Sequence, residues 1–241
     1  MIEISSLDDD LAEAHASLGQ ILVNYDYDFK TAEREYRRAI ELNPNYATAH
    51  QWYGEVLANL GRFDESQAEF DKALAIDPLS LIINREKGGT LFFERKYDAS
   101  IELLKKTVEL DPNFLGPHYD LFLAYHMKGN YPESVEEFAK WRELNGDRGG
   151  AAQAREAFRR GGWRGFLKAM TAPGRPPGLA HYHFAIFYIA LGENEAAISE
   201  LVKAYDEREN DMNWMNLDPR LDPVRSDPRF QELLKKVGFP E

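Results

Sequence analysis

Pro44, Pro78 and Pro112 stand 34 residues apart, each inside a near copy of one phrase: ELNPN, AIDPL and ELDPN. A fixed period of this length restricts a chain to a stack of like units, each burying its apolar face on its neighbours. Other columns keep the same step. Leu42, Ile76, Leu110 and Leu144 superpose, as do Tyr36, Phe70, Leu104 and Phe138, and Ala39, Ala73, Thr107 and Trp141. Gly54 falls on Gly88, and Gly19 joins them if the NYDYDF turn (24–29) holds one extra residue. Small residues in this column are expected to let two helix backbones approach, while the large columns fill the gaps between units.

Each unit reads as two helices. ATAHQWYGEVLANLG (47–61) carries apolar residues at helical spacing and stops at a glycine, a C-terminal signal. RFDESQAEFDKALAIDP (62–78) is a second amphipathic run, ended by a proline that cannot continue a helix. The repeated phrase is therefore the punctuation between helical hairpins.

These residues resemble the tetratricopeptide repeat (TPR) family, whose 34-residue pattern is W-x2-L-G-x2-Y, then A-x3-F, A and P. HASLGQIL (15–22), HQWYGEVL (50–57) and NREKGGTL (84–91) follow the first part. AEREYRRAIELNP (32–44) and SQAEFDKALAIDP (66–78) follow the second well, SIELLKKTVELDP (100–112) and SVEEFAKWRELNG (134–146) more loosely. Lys87, and Phe122 in the glycine column, depart from the pattern and predict local repacking. The resemblance implies an all-α, right-handed superhelical solenoid of antiparallel hairpins, five to six repeats long, with a C-terminal capping helix. Four well-formed repeats are expected over 1–146. A degenerate short hairpin turning at Gly161-Gly162 and a Pro/Gly-rich break are expected over 147–178. A last hairpin plus an Asp-Pro-rich tail is expected over 179–241. Each of the tail's three Asp-Pro pairs suits an N-cap aspartate followed by proline at the first helical position, and the last opens a helix near 228–237. DDD (8–10) reads as a helix N-terminus.

In TPR arrays the first helix of each hairpin lines a concave groove. By matched columns, the groove residues implied here are Gln20, Asn24, Gln51, Glu55, Asn59, Arg85, Phe92, Tyr119, Leu123, His126 and Tyr182. Amides there suit an extended peptide backbone and aromatics suit its side chains. The resemblance thus implies a non-catalytic scaffold for a protein or peptide partner. Chaperone-docking members hold a terminal carboxylate with a Lys and Asn pair on the first repeat. Ala16 and Gln20 stand at those positions, so such a clamp is not expected. The tail and GGWRGFLKAM (161–170) are similar to the C-terminal TPR part of bacterial multidomain signalling and transcription regulators. This gives the alternative expectation of a sensor portion whose effector domain is absent here.

A net charge of −12 repels phosphate backbones and anionic lipid, so no direct nucleic-acid partner is expected. With no cysteine, disulfides and thiolate metal sites are excluded. No apolar run approaches the ~20 residues of a membrane span. The opening MIEISSLDDD lacks the basic and apolar regions of a secretion signal, which suggests the cytoplasm, or the periplasm if the chain belongs to a membrane-anchored regulator. Phosphate-loop, nucleophile-elbow and zinc-protease motifs are absent, so no enzyme activity, catalytic residue or cofactor is expected. His181 and His183 are two residues apart, a spacing that points helical rings to different sides, so no metal site is assigned. Self-association through Phe230, Leu233, Leu234 and Phe239 is weighed against the same face capping its own solenoid.

Overall fold

The computed structural model describes residues 11–173 and 178–239, so DDD and the core of the APGRPPG break lie outside the described residues. Among the described residues the chain is helical throughout, with no strand. Helices α1 (Ala12–Ile21) and α2 (Phe29–Leu42), α3 (Ala47–Asn59) and α4 (Phe63–Ile76), α5 (Leu81–Phe93) and α6 (Tyr97–Leu110), and α7 (Leu115–Lys128) and α8 (Tyr131–Leu144) pair as consecutive hairpins. Then come α9 (Arg148–Met170), the hairpin of α10 (His181–Leu191) and α11 (Asn194–Asp206), and α12 (Pro228–Val237). The assembly is the right-handed all-α solenoid that the resemblance implied. Two short 3-10 segments, Asn210–Trp214 and Pro219–Val224, connect α11 to α12.

The extra residue near NYDYDF is absorbed as a π-helical turn, Leu22–Asp26, which ends at Tyr27 in the left-handed region (φ 53°). A π turn takes one more residue than an α turn, so the first repeat keeps register with the rest. The glycine column works differently from the sequence expectation. A Cβ on Gly19 would meet the Tyr36 ring at 2.8 Å, one on Gly54 the Phe70 ring at 3.2 Å, and one on Gly88 the Leu104 side chain at 2.8 Å. The glycines therefore receive the large side chain of their own hairpin's second helix rather than a neighbouring backbone. In the fourth hairpin Phe122 replaces glycine and its ring enters an aromatic cluster with Phe138 (centroids 5.0 Å), Phe166 (6.2 Å) and Phe187 (6.2 Å). Phe166 comes from α9, which passes through Gly162 at φ 59°, ψ −156°. That non-helical glycine breaks the helix in two and folds the second half against α7 and α8.

A further column ties the punctuation to the helix that follows it. His50 Nε2 meets the Pro44 carbonyl at 3.1 Å, His118 Nε2 meets the Pro112 carbonyl at 3.1 Å, and Asn84 Nδ2 donates to the Pro78 carbonyl at 3.4 Å. On the other ring nitrogen, a second-helix glutamate recurs: His15 with Glu35, His50 with Glu69, His118 with Glu137 and His181 with Glu200, at 2.5–2.7 Å. Burial of His118 opposes its charge, but the Glu137 carboxylate and the Pro112 carbonyl outweigh this and raise its pKa.

Of the three Asp-Pro pairs, two behave as caps. Asp218 accepts from the Arg220 amide ahead of the second 3-10 segment, and Asp227 accepts from the Arg229 amide at the start of α12. Asp222 does not cap: Asp222-Pro223 lies inside the 3-10 segment, and its carboxylate takes Arg225 and Arg95. Phe230, Leu233 and Val237 of α12 are buried with Ala197, Leu201 and Ala204 of α11. Phe239 stacks on Phe29 of α2 at 5.5 Å. The face considered for self-association is thus used within the chain, and the capping end of the solenoid touches its first hairpin.

Candidate functional site

The groove is not empty. The segment between α11 and α12 crosses the inner surface and touches the π turn after α1, the end of α5 and α10. Asn213 Nδ2 donates to Asn24 Oδ1 at 3.2 Å, and Arg208 Nη1 donates to the Tyr25 carbonyl at 2.5 Å. Trp214 stacks on Phe93 at the end of α5, with centroids 4.2 Å apart and planes 7° from parallel. Arg95 pairs with Asp222 at 2.8 Å. Its backbone is in the left-handed region (φ 64°), at a hairpin turn where glycines serve in the neighbouring repeats, Gly61 (φ 73°) and Gly129 (φ 75°). A side chain is strained there, and at Arg95 it is the one that reaches the tail. Tyr182 donates to Asp218 Oδ2 at 2.8 Å, and Arg220 binds both Asp218 oxygens, at 2.9 Å through Nε and 2.6 Å through Nη2. The tail's Met212, Met215, Leu221 and Val224 join the buried core of α10 and α11.

The structure places the eleven groove residues as follows. Gln20 accepts from the Tyr36 hydroxyl at 2.7 Å, and Asn24 holds Asn213. Gln51 is buried (8% exposed) and faces Glu86. Glu55 and Asn59 border a cavity closed on its other side by Asn213 and Trp214. Arg85 is paired with Asp120 of α7 at 2.7 Å, and Gly116 leaves it room: a Cβ there would sit 2.5 Å from Arg85 Nε. Phe92 (2% exposed) lies under the Arg220 guanidinium at 5.5 Å. Tyr119 packs on Trp141 and edge-on to His183 at 5.1 Å, with Leu123 one turn along the same wall. His126 packs on Trp163 at 4.8 Å, and burial pushes its pKa down to about 4. Tyr182 (1% exposed) is covered by the tail. The tail lies against Phe92 and Tyr182 and shares a cavity wall with Asn59.

Between groove and tail a cavity of about 150 Å³ remains. Sequence reasoning missed much of its wall, namely Glu86, Gly89, Phe93, Asp211, Trp214 and Arg220. One signal was available: Met212, Trp214, Met215, Leu217 and Leu221 are apolar without a sustained α-helical period, as befits a segment of short turns lying on an apolar surface. Burial raises the pKa of Glu55, and burial together with the neighbouring Glu55 charge raises that of Glu86. The cations of the wall are already matched. Asp120 holds Arg85 charged, and Asp218 keeps buried Arg220 charged against its desolvation.

At the outer end of α10, donor atoms of His181, Glu207 and Glu209 lie within 4.8 Å of one another. They are already engaged. Glu209 accepts from the His181 and Tyr182 amides at 2.7 and 2.9 Å, and His181 Nδ1 meets Glu200. His183 Nδ1 accepts from the Ala180 amide at 3.1 Å, which aims that ring away from His181.

Residues 27–80 match the tetratricopeptide repeat family model. The chain is 32% identical over 85 residues to "Hsp70-Hsp90 organizing protein 2" of Arabidopsis thaliana, covering 35% of this chain and 15% of that protein. It is 23% identical over 222 residues to "Tetratricopeptide repeat-containing protein trd-1" of Caenorhabditis elegans, covering 87% and 25%. It thus spans at most a quarter of the length of these relatives. Among solved structures it resembles one titled "Functional Characterization of Pseudomonas Aeruginosa pilF", with a TM-score of 0.54, 19% identity, and 95% and 98% of the two chains covered. It also resembles an O-GlcNAc transferase of Thermobaculum terrenum over 57% of this chain and 27% of that one, with a TM-score of 0.51 and 20% identity. The chain is thus an all-α solenoid of helical hairpins, within which residues 27–80 match the tetratricopeptide repeat. Proteins of this class are generally protein-interaction scaffolds. No described helix is long and apolar enough to cross a membrane.

Proposed function

We propose that this protein is a non-catalytic interaction scaffold whose concave groove receives a peptide or a segment of a protein partner. The observation that carries this reading is the groove's own occupant. A stretch of two short 3-10 segments is gripped there by stacking of Trp214 on Phe93, by the Asn24–Asn213 amide pair and by the Arg95–Asp222 ion pair. A surface that grips one short segment of chain has the chemistry for another: flat aromatics for side chains and amides for polar groups. Because the tail is tethered, its effective concentration is high, on the order of millimolar for a short linker, and an incoming segment must compete with it. The likeness to the chaperone-organizing protein brings no carboxylate clamp, since Arg85 is held by Asp120 and Lys87 by Asp71.

The test compares the 241-residue wild type with Trp214→Ala/Asp222→Ala as baits in a native lysate, with a synthetic peptide of residues 207–227 as competitor. Loosening the tail is expected to increase retention of a partner, and the peptide to displace it from both baits. Retention that neither the variant nor the peptide changes would place the partner elsewhere on the solenoid and end this reading.

A further inference from the structure

The repeat itself shows which surface residues the fold does not require. In the turn between α4 and α5, Leu79 stands where the neighbouring turns carry Asn45 and Asn113, and Ile82 stands where they carry Thr48 and Gly116. Leu79 is 73% exposed and Ile82 51%. Ile76 at the end of α4 and Leu110 at the end of α6 are exposed as well. All four share one edge of the solenoid, because α5 and α6 run antiparallel and the start of one lies beside the end of the other. Single exposed apolar residues are ordinary, but a set of them rimmed by charge marks a contact surface. The charge here is acidic. Neither α4 nor α6 has a basic residue in its last turn, where the helix dipole favours one. Asp77 and Glu109 make no ion pair among the described residues. Lys105 and Lys106 lie about a turn back from this edge, and Lys106 is paired with Glu102.

The opposite edge carries the opposite charge. Residues 148–170, the whole of α9, hold six bases against one acid, a local +5 in a chain of −12, which leaves −17 for the remainder. Arg164 and Lys168, one turn apart and both exposed, make no ion pair among the described residues. Arg159 and Arg160 share the single carboxylate of Glu156. Trp163 stacks on Tyr131 at the start of α8, with centroids 4.8 Å apart, which puts the kink of α9 on the edge of the α7–α8 turn. Gly161 sits beside this kink with helical backbone, and a Cβ on it would meet no atom within 4 Å. Glycine weakens a helix relative to alanine, and neither the backbone nor the packing of this chain calls for it at 161. What it provides is bare, exposed backbone among the arginines, open to close approach by another surface.

We propose that the protein associates with itself head to tail, the apolar, acidic edge of one copy seated on the α9 kink of the next. Leu79 and Ile82 lie against the bare backbone at Gly161, and Asp77 and Glu109 meet the unpaired cations Arg164 and Lys168. One chain cannot bring its own two faces together, because they stand on opposite edges. A second copy supplies each face with its complement. The rest of the surface sets the orientation, since an approach that does not present α9 puts acid against acid. The contact joins two different patches, so it is heterologous and continues beyond a dimer unless the rotation closes a ring. It is small, of the weak and transient class. It uses neither the groove nor the α12 face that packs within the chain. The inference therefore goes beyond the scaffold reading, and it gives an assembly whose successive grooves act together on one partner.

The experiment is sedimentation velocity of the 241-residue chain over a wide range of protein concentration, wild type against two variants at exposed positions. Leu79→Asn/Ile82→Thr places at the edge the residues that other repeats carry there. Arg164→Glu/Lys168→Glu reverses the charge at the kink and breaks no ion pair among the described residues. Wild type is expected to grow beyond a dimer as concentration rises, and each variant to associate at least about tenfold more weakly. Gly161→Leu, whose side chain enters open space, should have the same effect. Mixing the two double variants decides the orientation. Each retains the face that the other has lost, so together they should form a one-to-one dimer that goes no further. Association that the variants leave unchanged, or a mixture that stays monomeric, would overturn the proposal. So would a wild type that is monomeric throughout, which would leave the two faces to separate partners, a basic apolar segment at the edge and an acidic one at the kink.

Discussion

Asp218→Ala is expected to destabilise the protein by about 3–5 kcal/mol, the cost of leaving a buried charge without its partner. Asp218 has 0% exposure and serves three donors: the Arg220 guanidinium, the Arg220 amide and the Tyr182 hydroxyl. Its removal strands Arg220 over the Phe92 ring and unpairs Tyr182 beneath the tail. For a chain of this size the loss corresponds to a melting temperature lower by roughly 6–20 °C. Cleavage by a protease within residues 207–227 should rise in parallel, because Asp218 ties the tail to Tyr182 of α10 and holds Arg220 over Phe92 of α5. Asp218→Asn retains an acceptor for Tyr182 and removes the charge, so it should fall between alanine and wild type. A melting temperature unchanged by alanine would mean that Arg220 and the tail are not held as described.

Phe122→Ala is expected to cost about 3–5 kcal/mol as well, for a different reason. By the repeat pattern alone this substitution restores a small residue to a small-residue column, and a pattern-based account predicts no loss or a gain. Packing predicts the opposite. The Phe122 ring is 1% exposed and meets Phe138, Phe166, Phe187 and Tyr119. Truncation there opens a cavity at the point where α9 and α10 join the regular hairpins. Thermal or denaturant unfolding of the two proteins decides between these accounts by the sign of the change.

Those two positions also mark where sequence reasoning carried and where it stopped. The hairpin stack was legible because its determinants are local and repeated: prolines, the large and small columns, and apolar residues at helical spacing. The register of the first repeat was legible too, once one residue was set aside, although the π turn that absorbs it was not. The histidine column went unread, since a lone His looks like any surface residue until Glu35, Glu69, Glu137 and Glu200 are seen opposite. The tail was legible as a set of caps and as a closing helix, but not as the groove's occupant. Asn24 and Asn213 are 189 residues apart, and only the accumulated curvature of the superhelix brings them together. No single repeat encodes that curvature. The sequence pattern therefore marked out the inner surface but not its covering.

The covering of the groove by residues 207–227 is the central claim, and the absence of native cysteine makes it directly measurable. Asn24→Cys/Asn213→Cys introduces the only two thiols, on side chains whose polar atoms lie 3.2 Å apart. Treating the folded protein with a short thiol-to-thiol linking reagent, followed by denaturing electrophoresis and peptide mass mapping, should give a linked monomer joining positions 24 and 213 in high yield. Linkage found only between molecules, or two thiols that stay separately modified under native conditions, would contradict a tail seated in the groove.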